Sequence, residues 1–440
     1  MDCRVEIPAV LDRRVTLPPS KSIAVRVLVI NALVGGSWNV ERGTRKEERL
    51  SAIDDIDVMA QALASDSDCI DVGGTGTAMR FLTAYFACQE GRTVTLDGSG
   101  RMRQRPIGPL VDALRQMGAS IDYLGNEGFP PLKIEGRQLR GGSLTMRGDV
   151  SSQFVSALLM IAPVVGGITL TLDGAIVSRP YIDMTLALLR RHGIEARIIA
   201  TDNKKTTGFS DKFDFSQHTE IVVNQQKYKS ENSENSGVYY DIEGDWSAAS
   251  YWFALKALLP QSRIVLSPLT EHSIQGDRAI VEIMAPLGVT ARFLDGGEVL
   301  LSSHIAHPDT AYCRDMAATP DLVPTLAVTL CLLRVPFTLT GVATLRLKES
   351  DRLMALREEL VKLGYAIEVD DNSLSYDGNH EAPQGGVVLD PHGDHRMAMA
   401  LSLAATRHPG ITIKDAEVVT KSYPQWWKEL INAQCTMHNS

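Results

Sequence analysis

A short pattern that occurs four times along the 440-residue chain limits the folds available to it. Each copy has an amphipathic helix, then a glycine where a helix C-terminus favours a positive φ, then a short strand. The glycines are Gly118, Gly193, Gly288 and Gly364. The first two lie 75 residues apart and the last two 76, which predicts one supersecondary unit repeated in two similar halves. Helices and short strands alternate in both halves, so the expected fold class is α/β or α+β.

The length of the chain predicts two large domains, because one hydrophobic core rarely serves so many residues. The interval between Gly193 and Gly288 is longer and contains the polar segment Thr201–Ser236. We expect that segment to be an exposed hairpin extension or loop outside the core. The segment Glu6–Leu17 is predicted to be a strand that pairs elsewhere, so the chain crosses between domains twice. The predicted domains are 20–243, and 1–19 together with 244–440.

Composition narrows the possible partners. Charged residues make up 22% of the chain and the net charge is −9, so general affinity for nucleic acid or acidic membranes is not expected. The six cysteines are scattered without metal-ligand spacing, which is typical of reduced thiols. The N-terminal residues do not resemble a targeting peptide, and no apolar run reaches membrane-spanning length. We therefore expect a cytoplasmic protein whose anion sites are made by locally placed arginine and lysine.

The segment Pro18–Arg26 carries the first candidate site. Ser20 occupies an N-cap position before an apolar run that predicts a helix to about Leu33. Lys21, Ser22 and Arg26 would lie on the first turns, where free backbone N–H groups and the helix dipole favour an anion. For this segment alone, a solvated basic helix start is an equally good interpretation.

Later segments repeat this arrangement of polar or basic side chains at the start of a helix. They are the glycine-rich turn Val72–Arg80 with Gly76, the residues Ser151, Ser152 and Gln153, the residue Ser178, and Asp394–Arg396. Each could be a simple helix cap. Their repetition favours binding of anionic ligands.

Three further segments concentrate charge. Arg101, Arg103 and Arg105 alternate along a segment predicted to be extended, which would place them on one face. In Arg346–Arg352, five of seven residues are ionisable, which fits either a surface ion-pair lattice or a cationic clamp around Glu349. If this segment is helical, Lys348 and Arg352 share a face. The histidines and aspartates of 390–395 lie in a turn without a further ligand cluster, so a metal site is not favoured.

Ten segments, in chain order, resemble the 5-enolpyruvylshikimate-3-phosphate synthase family. They are Leu17–Arg26, Gly73–Arg80, Arg101–Gly118, Gly148–Pro163, Ser178–Leu186, Gly244–Ala257, Asp315–Thr329, Arg346–Leu353, Asp394–Ala404 and Lys421–Pro424. The resemblance implies two similar domains, each of three βαβαββ units, with the active site in the cleft between them. It implies transfer of the enolpyruvyl group of phosphoenolpyruvate to the 5-hydroxyl of shikimate-3-phosphate, with release of phosphate. No metal or organic cofactor and a monomeric state are expected.

The same resemblance implies roles for individual residues. Lys21 would lie between both substrates. The residues implied to bind shikimate-3-phosphate are Lys21, Ser22, Arg26, Ser151, Ser152, Gln153, Ser178, Asp315 and Lys348. The residues implied to bind phosphoenolpyruvate are Lys21, Gly76, Arg105, Gln153, Arg352, Arg396 and Lys421. Asp315 resembles the base that takes the hydroxyl proton and Glu349 the acid that protonates the methylene carbon, with Lys21 as a possible partner in both steps.

Two alternatives compete with this interpretation. The sister transferase that acts on UDP-N-acetylglucosamine resembles a pattern with asparagine after the first lysine, and here Ser22 follows Lys21. A non-catalytic anion-binding relative would be expected to lack Asp315 or Glu349, and both are present. The chain departs from the usual family pattern at Gly74 and Thr344, where asparagine is common.

Overall fold

The structure, a computed structural model, describes residues 1–34, 54–200, 219–225, 242–304, 310–383 and 386–430. Within these ranges the α-helices are α1 Lys21–Leu33, α2 Asp54–Ala64, α3 Gly76–Ala87, α4 Gly108–Gln116, α5 Ser152–Ile161, α6 Arg179–Arg191, α7 Trp246–Leu258, α8 Ile280–Met284, α9 Val323–Leu333, α10 Arg352–Lys362, α11 His395–Ser402 and α12 Trp426–Leu430.

The strands in the same ranges are β1 Cys3–Val5, β2 Asp12–Thr16, β3 Cys69–Asp71, β4 Thr93–Asp97, β5 Ser120–Tyr123, β6 Leu132–Glu135, β7 Gly142–Arg147, β8 Gly167–Asp173, β9 Ala196–Ala200, β10 Thr219–Asn224, β11 Arg263–Ser267, β12 Val289–Leu294, β13 Glu298–Ser303, β14 Tyr312–Asp315, β15 Phe337–Thr340, β16 Ile367–Val369, β17 Ser373–Tyr376, β18 Val388–Leu389 and β19 Ile411–Ile413. The alternation of helices and strands confirms the α/β class.

Four sheets share one connectivity, βαβαββ. Their strand orders are β3-β4-β6-β5, β7-β8-β10-β9, β14-β15-β17-β16 and β2-β11-β13-β12. In each sheet the first two strands are parallel and the other pairs are antiparallel. A parallel pair requires a crossover. One helix lies between the paired strands in three sheets, whereas the connection from β2 to β11 is far longer and ends with α7. The fourth sheet takes its first strand, β2, from the chain's N-terminal segment, and a fifth sheet has the order β1-β19-β18.

The four glycines of the repeated pattern occupy equivalent positions in these four units. Each follows the second helical segment of its unit and precedes the third strand. The φ angles are 99° at Gly118, 76° at Gly193, 83° at Gly288 and 88° at Gly364. Side chains rarely adopt such angles, so glycine is favoured there. The predicted repeat of a helix, a glycine and a strand is confirmed.

Two predicted segments differ from the structure. The segment Thr201–Ser236 was expected to lie outside the core, yet it contains β10, which pairs with both β8 and β9. Ile221 and Val223 on this strand are 1% exposed. The alternation of apolar and polar residues in β10 is short and its flanks are polar, so the local pattern does not predict a strand there. Residues 201–218 and 226–236 lie outside the described residues. The strand predicted over Glu6–Leu17 is confined to β2.

The chain divides into two compact units. Of the described residues, the first unit contains 1–21, 54 and 242–430, and the second contains 22–34, 55–200 and 219–225. The domain bounds at residues 20 and 243, and three βαβαββ units in each domain, remain predictions. No helix among the described residues has both the length and the apolar character that a membrane span requires.

Within the first unit, the segments around residues 18–21 and 243–245 run side by side. Ser20 N donates to Glu243 O at 2.9 Å, and Asp245 N donates to Pro18 O at 2.9 Å. The Asp245 carboxylate caps α7 by accepting from Ala248 N at 3.0 Å. It also accepts from Lys21 N at 3.2 Å. One carboxylate thus fixes the start of α7 and the backbone of Lys21.

Candidate active site

In the first unit, one carboxylate holds three cationic side chains. Asp321 Oδ1 lies 3.2 Å from Lys348 Nζ and 2.9 Å from Arg352 Nη1, and its Oδ2 lies 3.0 Å from Arg396 Nη2. Asp321 belongs to the 3₁₀ turn Pro320–Leu322 that leads into α9. We call Asp321, Lys348, Arg352 and Arg396 the Asp321 cluster. Lys348 precedes α10 in extended backbone, so it does not share a helical face with Arg352; both reach the same carboxylate instead.

A second carboxylate fixes Arg352 from the other side. Arg352 Nε lies 2.7 Å from Asp394 Oδ2, and Nη2 lies 3.2 Å from Oδ1, a bidentate pair in which both side chains are at most 3% exposed. Asp394 also caps α11 by accepting from Arg396 N at 2.9 Å. This confirms that Arg396 is fixed at a helix start by its neighbours. Burial opposes ionisation of Asp394, but the Arg352 guanidinium outweighs it and lowers the pKa of that carboxyl.

In the Asp321 cluster itself, three cationic side chains share one carboxylate. Its three cations face the carboxylates of Asp321 and Asp394. Burial lowers the pKa of Lys348, with Arg352 and Arg396 acting in the same direction and Asp321 opposing them. Three cationic side chains held so close together attract an anion. The cluster is therefore suited to bind a phosphate or carboxylate group.

Glu349 lies at the centre of another group of charges in the same unit. Its Oε2 lies 3.1 Å from His395 Nδ1 and 3.2 Å from Lys421 Nζ. Burial opposes its ionisation, but His395, Lys421 and Lys21 together hold the pKa of Glu349 well below its usual range. Burial lowers the pKa of His395, whose Nε2 has no hydrogen-bond partner among the described residues. We call Lys21, Glu349, His395 and Lys421 the Glu349 cluster.

The structure does not bring Asp315 to either cluster. Asp315 ends β14, is exposed, and accepts a hydrogen bond from Ala317 N at 2.9 Å. None of its described contacts involves the cations of the Asp321 cluster. The carboxylate that does contact them, Asp321, is not among the site residues predicted from the sequence. Its signal was available, because Asp321 also stands just before an apolar helix.

In the second unit, the glycine-rich turn and two predicted site residues come together. Helix α3 begins at Gly76. The Arg105 guanidinium packs against this glycine so closely that a Cβ there would lie 2.4 Å from Arg105 Nη1. Gln153 Nε2 donates to Thr77 Oγ1 at 3.0 Å. Gly76, Thr77, Arg105 and Gln153 form the glycine-loop group, in which three predicted binding residues meet.

Arg80 supports the glycine-loop group from inside. Its Nη1 donates to Gly76 O at 3.1 Å and its Nη2 to Pro106 O at 3.0 Å. Burial, and then the neighbouring Arg105, hold the pKa of Arg80 well below its usual range. Arg80 closes the predicted Val72–Arg80 motif, but its supporting role is visible only in the structure.

The predicted face of three arginines does not form. Residues Met102–Gln104 make a 3₁₀ turn instead of an extended segment. Arg103 pairs with Asp97, and Arg101 Nη1 donates to Gln104 Oε1 at 3.4 Å. Arg105 lies instead against Gly76.

Arg26 is 2% exposed, and its described hydrogen bonds are internal to the second unit. Nη1 donates to Ser22 O at 2.8 Å, Nε to Thr185 Oγ1 at 2.8 Å, and Nη2 to Ser156 Oγ at 3.1 Å. Burial lowers its pKa to about 10. Arg26 therefore joins α1, α5 and α6, and contact of Arg26 or Ser22 with a substrate stays a prediction.

The predicted serines lie at helix starts. Ser151 Oγ accepts from Gln153 N at 3.3 Å and caps α5, of which Ser152 is the first residue. Ser178 is buried immediately before α6, with a φ of 54°. A non-glycine residue with this φ is uncommon and is often found at functional sites. Substrate binding by the three serines stays a prediction.

Glu349, Asp394 and His395 place one donor atom each within 4.8 Å of one another. In principle such a trio could ligate a metal ion. Lys421 contacts Glu349, however, and Arg352 contacts Asp394. Both carboxylates are already neutralised by protein cations, so these residues do not favour a metal ion.

Gly76→Ala tests the close approach of Arg105 to the glycine turn. For phosphoenolpyruvate, the ligand that the family resemblance implies for Arg105, we expect the KM to rise about tenfold, because the new Cβ displaces a guanidinium that must be placed to within about 1 Å. Steady-state kinetics with each substrate varied in turn would measure it. Gly100→Ala is the matched control, because a Cβ at Gly100 meets nothing within 4 Å. A rise confined to the shikimate-3-phosphate KM would contradict the assignment of Arg105.

Solved structures show which class of fold this is. EPSP synthase from Acinetobacter baumannii matches with a TM-score of 0.67 at 21% identity, covering 100% of both chains. The enolpyruvyl transferase NikO from Streptomyces tendae matches with a TM-score of 0.67 at 15% identity, covering 98% of this chain and 97% of the other. At these identities the likeness establishes the fold alone, which is that of the enolpyruvyl transferases.

Sequence comparison identifies the family within that class. The family model described as EPSP synthase (3-phosphoshikimate 1-carboxyvinyltransferase) matches residues 43–430. The 3-phosphoshikimate 1-carboxyvinyltransferase of Bacteroides fragilis strain YCH46 is 42% identical, covering 97% of this chain and 96% of the relative. That of Methanosphaerula palustris is 33% identical, covering 98% and 99%. The chain belongs to the EPSP synthase family, and it is therefore a transferase that acts on small molecules.

Proposed function

We propose that this chain transfers the carboxyvinyl group of phosphoenolpyruvate to the 5-hydroxyl of shikimate-3-phosphate and releases phosphate. The observation that carries the proposal is the Asp321 cluster, three cations on one carboxylate, in a chain of this family. Each substrate carries a phosphate and a carboxylate. Bringing them together therefore requires a dense, preorganised set of cations.

We propose binding roles for the two sets of residues that the family resemblance implies, one set for each substrate. We assign phosphoenolpyruvate to Lys21, Gly76, Arg105, Gln153, Arg352, Arg396 and Lys421. We assign shikimate-3-phosphate to Lys21, Ser22, Arg26, Ser151, Ser152, Gln153, Ser178 and Lys348. The geometry supports Lys348, Arg352 and Arg396 best, because these three cations already converge on one carboxylate. The cytoplasmic location and the monomeric state are proposed with the function.

Asp321 is a better candidate than Asp315 for the base that accepts the 5-hydroxyl proton. A base must lie within hydrogen-bond reach of the bound substrate. Asp321 contacts the predicted substrate lysine Lys348, whereas Asp315 is exposed and bonded to its own turn. We therefore transfer the proposed role to Asp321.

Glu349 is proposed as the acid that protonates the methylene carbon, and for that role it must first be protonated. Its neighbours keep it ionised without substrates, because they lower its pKa. The phosphate and carboxylate of phosphoenolpyruvate would raise this pKa, since like charges disfavour the ionised form. The proton then passes from Glu349 to the methylene carbon, and the hydroxyl oxygen attacks the adjacent carbon as Asp321 takes its proton. The tetrahedral intermediate then loses phosphate, and the Glu349 carboxylate takes back a proton from the methyl group as the vinyl group is restored.

A phosphate-release assay with phosphoenolpyruvate and shikimate-3-phosphate tests the proposed function. We expect rapid release with this acceptor and none above background with UDP-N-acetylglucosamine, the acceptor of the alternative transferase. Mass spectrometry of the product should show the added carboxyvinyl group. Release with UDP-N-acetylglucosamine alone would support the sister activity instead, and no release with either acceptor would favour the non-catalytic relative.

A further inference from the structure

Asp277 is a buried carboxyl group to which the proposed mechanism gives no role. It lies in the 3₁₀ turn Gly276–Ala279, just before α8, and is 5% exposed. Its Oδ2 accepts a hydrogen bond from Ser247 Oγ. Its Oδ1 is buried without a hydrogen-bond partner among the described residues. A carboxylate left half-bonded in the interior is costly unless nearby charge compensates it.

The turn that carries Asp277 is fixed against the start of α7. Gln275 Oε1 accepts from Trp246 N at 3.1 Å, and Gln275 Nε2 donates to Gly244 O at 2.9 Å. With the bond from Ser247 to Asp277, three contacts hold this turn. The Asp277 carboxyl therefore has a defined place beside the first turn of α7.

One face of α7 connects Asp277 to the Asp321 cluster. Ser247 and Tyr251 lie four residues apart, so they share a face of the helix. Ser247 bonds Asp277, and the buried Tyr251 hydroxyl interacts electrostatically with Arg396. Asp277 also interacts electrostatically with Asp321 and with Arg396. Two carboxyl groups, the buried Asp277 and the partly buried Asp321, thus act on one guanidinium, and Asp321 makes the direct contact at 3.0 Å.

The charge of Asp277 must affect anion binding at Arg396. An ionised Asp277 adds a second negative charge near the guanidinium and repels an incoming phosphate or carboxylate. A protonated Asp277 leaves Asp321 as the main competitor for Arg396. Because the site is buried, such interactions are only weakly screened by salt.

We infer that Asp277 is a positioning residue whose protonation sets how strongly Arg396 attracts the phosphoenolpyruvate anion. The inference rests on the proposed function, since it concerns the same substrate. Asp277 touches no reacting atom; it acts through Arg396 and Asp321. Its ionisation weakens anion binding, and by linkage a bound anion favours its protonated form.

The groups around Asp277 bring its ionisation into a pH range in which substrate binding can be measured. Burial, then the neighbouring Asp321, and to a smaller degree Asp245, raise the pKa of Asp277 to about 6, while Arg396 and the Ser247 hydroxyl oppose the rise. These groups come from three places in the fold: Asp245 and Ser247 from the start of α7, Asp321 from the turn before α9, and Arg396 from α11.

The test compares Asp277→Asn with the wild type from pH 5 to pH 8. The KM for phosphoenolpyruvate at saturating shikimate-3-phosphate and its dissociation constant by calorimetry are both measured. At pH 8 we expect Asp277→Asn to bind phosphoenolpyruvate roughly three- to tenfold more tightly than the wild type, with kcat within about twofold. At pH 5 the two proteins should bind phosphoenolpyruvate equally tightly. The substrate phosphate also titrates near pH 6, so the informative quantity is the ratio of the dissociation constants of the wild type and the variant at each pH.

Two control variants separate this role from a structural one. Asp12→Asn removes one negative charge from the exposed surface of the same unit and should leave the ratio at one. Ser247→Ala removes a hydrogen bond that favours the ionised carboxyl, so it should bind phosphoenolpyruvate more tightly than the wild type at about pH 6 to 7 and equally tightly at pH 5. Thermal unfolding of all variants monitors folding.

A pH-independent ratio of one for Asp277→Asn would overturn the inference, as would weaker binding at every pH by a folded protein. If Asp277→Asn does not fold, the comparison of Ser247→Ala with the wild type decides, and equal affinity for phosphoenolpyruvate from pH 5 to pH 8 overturns the inference. Failure of the proposed function looks different, because the wild type itself would then release no phosphate.

Discussion

Asp321→Asn is expected to lower kcat for phosphate release by about 10²- to 10⁴-fold, the range for loss of a general base, whereas Asp315→Asn should stay within about twofold of the wild type. The reason is position. Asp321 contacts Lys348, Arg352 and Arg396 at 2.9 to 3.2 Å, while Asp315 is exposed at the end of β14. Both variants replace a carboxylate by an amide of nearly equal size, so each is the steric control for the other.

The Michaelis constants separate loss of a base from loss of the binding site. Asparagine keeps the size and some hydrogen bonds of Asp321 but removes its negative charge. The three cations then have one fewer competitor, so the KM for phosphoenolpyruvate should stay equal or fall. A fall in kcat without a rise in KM is the mark of an interaction made chiefly in the transition state.

Two outcomes would contradict this assignment. If Asp315→Asn lost activity and Asp321→Asn kept it, the role implied by the family resemblance would stand at Asp315. If Asp321→Asn raised both Michaelis constants with kcat unchanged, Asp321 would be a positioning residue for the cations. Steady-state kinetics with each substrate varied in turn distinguishes these cases.

Local backbone requirements made the repeated unit of the fold predictable from the sequence. The glycines at 118, 193, 288 and 364 occupy positions that a φ of 76° to 99° dictates, so their spacing reported the repeated unit directly. The sequence does not predict the strand β10, because its buried apolar residues alternate with polar ones over only a few positions within a polar segment. Its position between β8 and β9 depends on long-range pairing, which local patterns do not encode.

The sequence predicts which residue types form the candidate site, but not which side chains contact one another. Helix starts with polar side chains pointed to Gly76, Gln153 and Arg396, which the structure places in clusters. The choice between Asp315 and Asp321, six residues apart, needed three-dimensional contacts. A carboxylate's role depends on which cations reach it, and here they come from 348, 352 and 396.

Shared carboxylates give the first unit's site its rigidity. Asp321 joins three cations, Asp394 joins Arg352 to the start of α11, and Asp245 joins Lys21 to the start of α7. Each is bonded from two directions, so the cations are held before a substrate arrives. Such preorganisation lowers the reorganisation that binding and catalysis would otherwise require.

Asp394→Asn is expected to destabilise the protein by about 3–5 kcal/mol, the cost of breaking a buried ion pair from one side. The variant leaves the Arg352 guanidinium, 3% exposed, with a neutral amide in place of its bidentate partner. Denaturant unfolding monitored by tryptophan fluorescence would measure the free energy. Glu298→Gln is the matched control: it removes a carboxylate from the largely exposed pair with Arg14 and should cost less than about 1 kcal/mol.

The pH dependence of this loss distinguishes a charge effect from a packing defect. The pKa of Asp394 in the folded protein lies below its ordinary value of 3.8, so the unfolded chain binds the proton more readily. Its contribution is therefore complete above about pH 5 and declines as the pH falls through the folded-state pKa. The difference in free energy of unfolding between wild type and Asp394→Asn should be largest at neutral pH and shrink below about pH 4. A difference that stays constant down to pH 3 would mean that lost packing, and not the charge of Asp394, destabilises the variant.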